Sequence, residues 1–480
     1  MIIGFPFFST QDLKHVVEDH VRAGRYGEAL VTLWYAVEFI HNRPRSVGRV
    51  LVSRDMDDLC RLVAHAVDAP PTADVVPTGT VFLLTELSRA GGHIEVLKDY
   101  VRLNMFPKPL SIVLTDCFSR ADDGIAQEIG AYLGVSVEVV RADNTQDRFF
   151  AVVNRLSTRP PQTLILLTHH QDSVGLAAAL RCPSPSVVFC HHADHHLCLG
   201  ATCEEFTHVD LTNLVFKQCR YDFDIRGNLY WPLTISVADV EPRRVTAIPS
   251  AGLTTCAAGQ PGKFIAGTYR YEYVDIMPRV MAATGGRHIH IGGLLSEQEQ
   301  AFRANMAKHG VAADRLILIP YVPSVAAALI EHAVDVYLIS FPIGGGKSAV
   351  EAMAAGIPIA VHACYRSLLL SGAQIAYDGA FVWRDSEHLI DLLTGADGGI
   401  LREHSVKSRA WYEAHYSEAA VRQAMQAGPD CEDFIPTFTN YNIDHLQKFL
   451  DEEKSIYDIQ IESQNSLKES QNSLKESQNS

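Results

Sequence analysis

Long apolar runs, CxxC pairs and an excess of positive charge are all missing from this sequence. No apolar run approaches the roughly 20 residues that a membrane-spanning helix needs. The first residues, 1 to 8, have neither the basic region nor the long apolar region of a secretion signal. The 10 cysteines are scattered along the chain. We therefore expect a cytoplasmic protein with reduced thiols and no membrane span.

The charge balance excludes one class of partner. Lys+Arg 41 against Asp+Glu 56 gives a formal net charge of -15. Such an acidic chain is not expected to bind nucleic acid or an anionic membrane over a broad surface. With 480 residues, of which 47% are hydrophobic, it is long enough for two or three domains that each bury a core.

Stretches rich in glycine and proline divide the chain. Helical spacing of apolar residues between 9 and 68 predicts a helical N-terminal domain, assigned to 1–76. A stretch rich in glycine and proline follows this domain, and a second one separates a domain at 77–245 from one at 246–430. A C-terminal helical segment is predicted for 431–462. Residues 463–480 repeat a polar heptapeptide with a single leucine, which indicates disorder; the alternative is a weak helix that joins copies into a homo-oligomer.

Strands alternate with helices in both central domains. The predicted strands are 81–84, 110–114, 135–140, 163–167 and 186–189 in the first, and 263–266, 288–291, 316–319, 336–339 and 357–361 in the second. This rhythm predicts an α/β fold with two Rossmann-like parallel sheets, each covered by helices on both faces. The last helical pattern, 405–426, is expected to run back toward the first domain.

Three consecutive glycines, Gly344, Gly345 and Gly346, join the strand at 336–339 to a helix-like run. Backbone amides at a helix N-terminus stabilise a phosphate. A P-loop is excluded because GxxxxGK[ST] requires glycine where Phe341 stands. We interpret the turn as a diphosphate site. A tight turn without a ligand is the alternative.

The side chains that follow the turn extend this interpretation. The hydroxyl of Ser348 is predicted to contact the diphosphate and Lys347 to neutralise it. Glu351 follows Ser348 by about one helical turn, where its carboxylate is expected to accept hydrogen bonds from ribose hydroxyls.

Residues 335–361 resemble the donor-binding segment of GT-B glycosyltransferases, and are most similar to the O-GlcNAc-transferase-like and adhesin-glycosylating branch. Phe341-Pro342, Gly346-Lys347-Ser348, Glu351 and Ala355-Gly356-Ile357-Pro358 occupy the places of the family pattern. The resemblance implies two Rossmann-like domains facing a cleft, with the diphosphate at 346–348 and the ribose at Glu351. The chain departs from the pattern where Lys-Ser replaces a threonine pair and where glutamate replaces aspartate.

The resemblance also bears on the leaving group and the stereochemistry. The family places a lysine for the leaving diphosphate in the loop after the first strand of the second domain. Here that position holds Tyr273, so Arg270 is predicted as the phosphate clamp, with a solvent-facing arginine as the alternative. Retaining enzymes often carry Glu-x7-Glu in the glycine region. Ile343 stands eight residues before Glu351, which favours inversion.

Two segments at the ends of first-domain strands indicate the acceptor side. Residues 190–198 hold four histidines between two cysteines, but the spacing fits no common zinc motif, so no metal is predicted. His192, Asp194 or His195 is predicted to deprotonate the acceptor, with packing or surface histidines as the alternative. Gly91 and Gly92 are predicted to approach the donor phosphates. The equally weighted alternative is that they only form a turn between a strand and a helix.

The sequence thus predicts a glycosyltransferase that moves a sugar from a nucleotide sugar to a protein or glycan acceptor, with inversion and without a metal or other cofactor. Two alternatives remain open at this point. One is a GT-B-like nucleotide-sugar epimerase, and the other is a non-catalytic scaffold that binds sugar nucleotides.

Overall fold

The computed structural model describes residues 9–42, 46–68, 75–89, 91–193, 195–235, 242, 252–267 and 269–437. The predictions for Asp194, for the C-terminal segment from 438 onward and for the repeat tail lie outside the described residues.

Three helices open the described chain: α1 (Thr10–Arg22), α2 (Tyr26–His41) and α3 (Arg54–His65). The side chain of Ser9 caps α1 and that of Ser53 caps α3, each accepting a backbone N–H of the first turn. Their buried side chains, Leu33 among them, pack in one hydrophobic cluster with Phe149 and Leu176 of the following domain. The N-terminal helices therefore form a layer on the first α/β domain and share its core.

The first sheet contains β1 (Thr80–Leu84), β2 (Leu110–Leu114), β3 (Ser136–Val139), β4 (Thr163–Leu167), β5 (Ser186–His191), β6 (Thr207–Asp210) and β7 (Leu229–Tyr230). Its strand order is β3-β2-β1-β4-β5-β6-β7, and every neighbouring pair is parallel. The helices of this part are α4 (Gly92–Leu103), α5 (Asp123–Leu133), α6 (Thr145–Thr158), α7 (Ser173–Ala179) and α8 (Asn213–Lys217). A parallel sheet exposes the carboxyl ends of its strands at one edge, and ligands of open α/β sheets bind there.

The second sheet contains β8 (Thr254–Ala258), β9 (Arg287–Ile291), β10 (Leu316–Ile319), β11 (Val336–Leu338), β12 (Ile359–His362) and β13 (Phe381–Trp383), in the order β10-β9-β8-β11-β12-β13. All of its pairs are parallel too. Its helices are α9 (Tyr273–Thr284), α10 (Ser296–Lys308), α11 (Val325–Glu331), α12 (Gly346–Ala354), α13 (Ser386–Thr394), α14 (Gly398–His415) and α15 (Glu418–Ala427). The two parallel-sheet domains agree with the predicted fold class.

The first strand of the second domain was predicted at the wrong place. The strand is β8, whereas Lys263 and Phe264 of the predicted strand lie in a 3-10 turn, Pro261–Phe264. Strand β8 is buried between β9 and β11, yet it consists of two threonines, a cysteine and two alanines. Such small side chains give little apolar signal, and the glycines and prolines that follow them suggested a linker.

Helix α15 crosses back to the first domain, as the sequence suggested. Val421 and Met425 pack in a hydrophobic cluster with Trp231 and side chains of β1, β2 and β4. All ten cysteines are reduced, since none of them forms a disulfide. None of the described helices is both long and apolar enough to cross a bilayer.

The shared core of the N-terminal helices can be tested by shortening Leu33, which is fully buried on α2. Leu33→Ala should lower the free energy of unfolding by about 2–5 kcal/mol, because it leaves a cavity in the core of the first domain. Leu62→Ala, at a position 38% exposed on α3, serves as the control and should cost much less. Equal losses in denaturant unfolding would contradict a shared core.

Candidate functional site

A cavity of about 570 Å³ lies between the two domains. The first domain lines it with the start of α4 and the loop after β5, and the second domain with the residues after β8, the glycine turn and α12. Most of the predicted site residues meet here: Gly91, Gly92, His192, His195, Gly344, Gly345, Gly346, Lys347, Ser348 and Glu351.

Arg270, the predicted phosphate clamp, is not brought into this cavity. Its side chain is exposed, and the guanidinium lies 5.8 Å from the ring centre of Tyr271. Its backbone N–H donates to the hydroxyl of Tyr365 at 3.0 Å. In the structure, Arg270 is therefore not placed to clamp a phosphate in this cavity.

The glycine turn packs closely against its neighbours, and at Gly344 a side chain would meet backbone atoms. A Cβ on Gly344 would lie 2.8 Å from the carbonyl carbon of Ser371, and one on Gly346 would lie 2.8 Å from Cδ1 of Ile375. Gly345 is the N-cap residue of α12, and no described side chain caps this helix. The first N–H groups of α12 thus begin at the cavity wall, where they can bind an anion.

Lys263 is a cation at this turn that the sequence reasoning missed. It lines the cavity, and its Nζ donates to the carbonyl oxygen of Gly344 at 2.9 Å. Because a strand was predicted at 263–266, Lys263 was assigned to the interior of the sheet. The available signal was the pair Gly259 and Gly262, which marks a loop directly after β8.

Lys347 bridges the two domains. From the first turn of α12, its Nζ donates to Oδ2 of Asp99 on α4 and to the carbonyl oxygen of Thr234. Asp99 is itself buried and also pairs with Arg102 at 3.2 Å. Burial lowers the pKa of Lys347. This lysine is thus held by protein groups on the far side of the cleft, so its predicted role at the diphosphate requires a change of partner.

Glu351 is fixed by the start of α11. Its Oε2 accepts the backbone N–H of Ala326 at 2.9 Å and the hydroxyl of Ser324 at 3.5 Å. Burial raises the pKa of this carboxyl. The side chain is held at the cavity wall close to Ser348, and its contact with a ribose stays a prediction.

Stacked histidines form the opposite wall. The rings of His93 and His192 are 4.6 Å apart at an angle of 18°. Burial lowers the pKa of both rings, that of His93 to about 3 and that of His192 well below its usual value, so both are neutral at pH 7. Nδ1 of His192 lies 3.3 Å from the carbonyl oxygen of Cys190 and must donate to it. The lone pair of His192 is therefore on Nε2, the atom that can accept a proton from a ligand.

Comparisons with known proteins identify the fold. No protein-family model and no curated protein matches the chain. Among solved structures, HepE from Anabaena in complex with UDP and glucose is similar, with a TM-score of 0.54 and 12% identity. The match covers 72% of this chain and 98% of the HepE chain. A glycosyltransferase from Rickettsia africae is similar with a TM-score of 0.52 and 9% identity, covering 74% of this chain and 98% of that chain.

These likenesses show that the chain has the GT-B fold, which confirms the predicted fold class. An O-GlcNAc transferase mutant from Thermobaculum terrenum is also similar, at 16% identity, and the match covers 89% of this chain and 82% of the transferase chain. Its TM-score of 0.44 is too low to support an argument. The resemblance to that branch of the fold stays a prediction.

The bridge between the domains can be tested with a double-mutant cycle on Lys347 and Asp99. Lys347→Met and Asp99→Asn should each destabilise the ligand-free protein, because each leaves a buried polar partner without its counterpart. Their effects on the free energy of unfolding should be non-additive by about 1–3 kcal/mol. Additive effects in denaturant unfolding would mean that the two side chains do not pair in solution.

Proposed function

We propose that this protein is a glycosyltransferase that moves a sugar from a nucleotide-diphosphate sugar to a protein or glycan acceptor, with inversion at the sugar carbon. The observation that carries the proposal is the start of α12, which no side chain of the described residues caps and which meets Lys263 in the interdomain cavity. The GT-B fold supports it, and so do the solved structures of HepE, which contain UDP, UDP-glucose, or UDP with glucose.

The donor diphosphate is assigned to the second domain. The N–H groups of the first turn of α12 and the hydroxyl of Ser348 bind its oxygens, and Nζ of Lys263 turns from the Gly344 carbonyl toward it. The nucleoside diphosphate leaves as an anion, and these groups stabilise the charge that develops on it. Amides and one lysine supply this stabilisation, so the transfer needs no divalent cation at the diphosphate. Glu351 receives the ribose hydroxyls.

The acceptor is assigned to the histidine wall. Nε2 of His192 takes the proton of the incoming nucleophile, while Nδ1–H stays on the carbonyl oxygen of Cys190 and holds the ring in place. The nucleophile attacks the sugar carbon from the side opposite the diphosphate. Position 343, where retaining enzymes often carry a glutamate, is isoleucine. This chain therefore has no carboxylate at that position to form a covalent sugar intermediate, and a single displacement with inversion is the proposed reaction.

The assignment of Lys263 predicts a defect in donor binding. Lys263→Met should weaken UDP binding by about 10–100-fold, because one charge-assisted hydrogen bond to the diphosphate is lost. Lys308→Met, which removes an exposed lysine of α10, is the matched control and should leave binding unchanged. Isothermal titration with UDP, and with other nucleoside diphosphates in parallel, measures the effect. Wild-type affinity in Lys263→Met would exclude Lys263 from the diphosphate site.

The assignment of His192 predicts a defect in turnover without a defect in binding. His192→Ala should lower kcat by about 10²–10⁴-fold, the range for loss of a general base, while UDP affinity stays unchanged. His309→Ala, an exposed histidine after α10, is the control. The assay measures release of nucleoside diphosphate from the nucleotide sugar together with the mass gained by the acceptor. Conversion of the sugar without release of nucleoside diphosphate would identify an epimerase. Binding of nucleotide sugars without any reaction would identify a scaffold, and either result would contradict the proposal.

A further inference from the structure

A second cluster of polar side chains lies at the carboxyl edge of the first sheet, outside the residues that line the cavity. His191 ends β5, His208 and Asp210 lie on β6, and Cys219 lies in the π-helical turn Gln218–Asp222. All four are buried, and one ligand-type atom from each lies within 4.8 Å of the others. Two imidazoles, a carboxylate and a thiol thus meet in the protein interior.

Three distances in this cluster come close to those between atoms around one tetrahedral ion, and the four ligand atoms all lie within 4.8 Å of one another. Oδ1 of Asp210 lies 3.2 Å from Nδ1 of His191 and 3.0 Å from Nε2 of His208. Sγ of Cys219 lies 3.5 Å from Nδ1 of His191. Zinc bonds of about 2.0 Å to nitrogen or oxygen and about 2.3 Å to sulfur place neighbouring ligand atoms roughly 3.2–3.6 Å apart in a tetrahedron.

The outer contacts of the cluster hold the ligand atoms in the orientation that an ion needs. Nδ1 of His208 donates to the carbonyl oxygen of Ala201 at 2.9 Å, which leaves the lone pair on Nε2. Oδ2 of Asp210 accepts from Nδ2 of Asn228 at 2.6 Å. Metal-binding histidines and carboxylates usually have such second partners. Nε2 of His191 has no partner among the described residues, so His208 and Asp210 are the better-held ligands.

The chemistry of the set selects the metal. One thiolate and one carboxylate balance the two charges of Zn²⁺, so the filled cluster would bury no net charge. Imidazole and thiolate together favour Zn²⁺ over Mg²⁺ or Ca²⁺, which prefer oxygen ligands.

We propose that His191, His208, Asp210 and Cys219 bind one Zn²⁺ ion as a closed structural site. Four protein ligands leave no open position for water or substrate, which is the pattern of structural rather than catalytic zinc. On binding, the thiol of Cys219 gives up its proton to solvent and both imidazoles remain neutral. The ion would fasten β5, β6 and the turn at 218–222 directly next to His192. The sequence motif at 190–198 contributes a single ligand, His191, which is why its spacing matched no zinc pattern.

The metal content of the purified full-length protein tests the proposal. Mass-spectrometric metal analysis should find one zinc per chain, and Cys219→Ser should lose most of it. Cys203→Ser is the matched control, since Cys203 is a buried thiol of the same domain outside the cluster. Wild-type protein without stoichiometric zinc, or equal zinc in both variants, would overturn the proposal.

Cobalt replacement gives a second readout, and its wild-type measurement does not depend on how well a variant folds. Wild-type protein loaded with Co²⁺ alone should show the intense visible bands of a tetrahedral ion and a near-ultraviolet thiolate-to-cobalt band. The thiolate band should persist in Cys203→Ser and be absent from Cys219→Ser. A weak octahedral spectrum, or a wild-type spectrum without the thiolate band, would show that the cluster is only a hydrogen-bonded network.

Discussion

The close packing of the glycine turn against the chain at residues 370–372 is the constraint on which the site depends. Gly344 donates its N–H to the carbonyl oxygen of Leu370 at 2.7 Å, and a Cβ at Gly344 would collide with the backbone of Ser371. This contact determines where α12 begins. The helix in turn carries Lys347 toward Asp99 on the first domain and Glu351 toward the start of α11. A side chain at position 344 would shift the proposed diphosphate site, the bridge between the domains and the Glu351 contact together.

The two walls of the cavity have different chemistry, and each suits one half of a transfer reaction. The second domain presents helix N–H groups and Lys263, which favour a bound anion. The first domain presents histidines, of which His93 is held neutral by burial. Lys347 joins the two walls through its contacts with Asp99 and with the carbonyl oxygen of Thr234, so protein groups hold the cleft together.

The sequence predicted those features that depend on local pattern. Strands such as β4 are continuous apolar runs flanked by turn residues, so the parallel-sheet rhythm was readable, as was the glycine turn. Strand β8 was missed because small side chains fill the centre of its sheet. Strands β6, β7 and β13 were missed because they have only four, two and three residues. Lys347 and Asp99 are 248 positions apart. Their pairing depends on how two domains pack, which no local spacing encodes. The four residues proposed as zinc ligands lie in one domain and come together because β5 and β6 are neighbours in the first sheet, which their sequence spacing does not reveal either.

A crystal structure of the protein with UDP tests the central claim most directly. The account predicts the diphosphate at the first turn of α12, with its oxygens within about 3 Å of the N–H groups there and of Nζ of Lys263. The ribose should then lie against Glu351, with His192 across the cavity from the terminal phosphate. A diphosphate bound away from the start of α12, or bound there without contact to Lys263, would contradict the account.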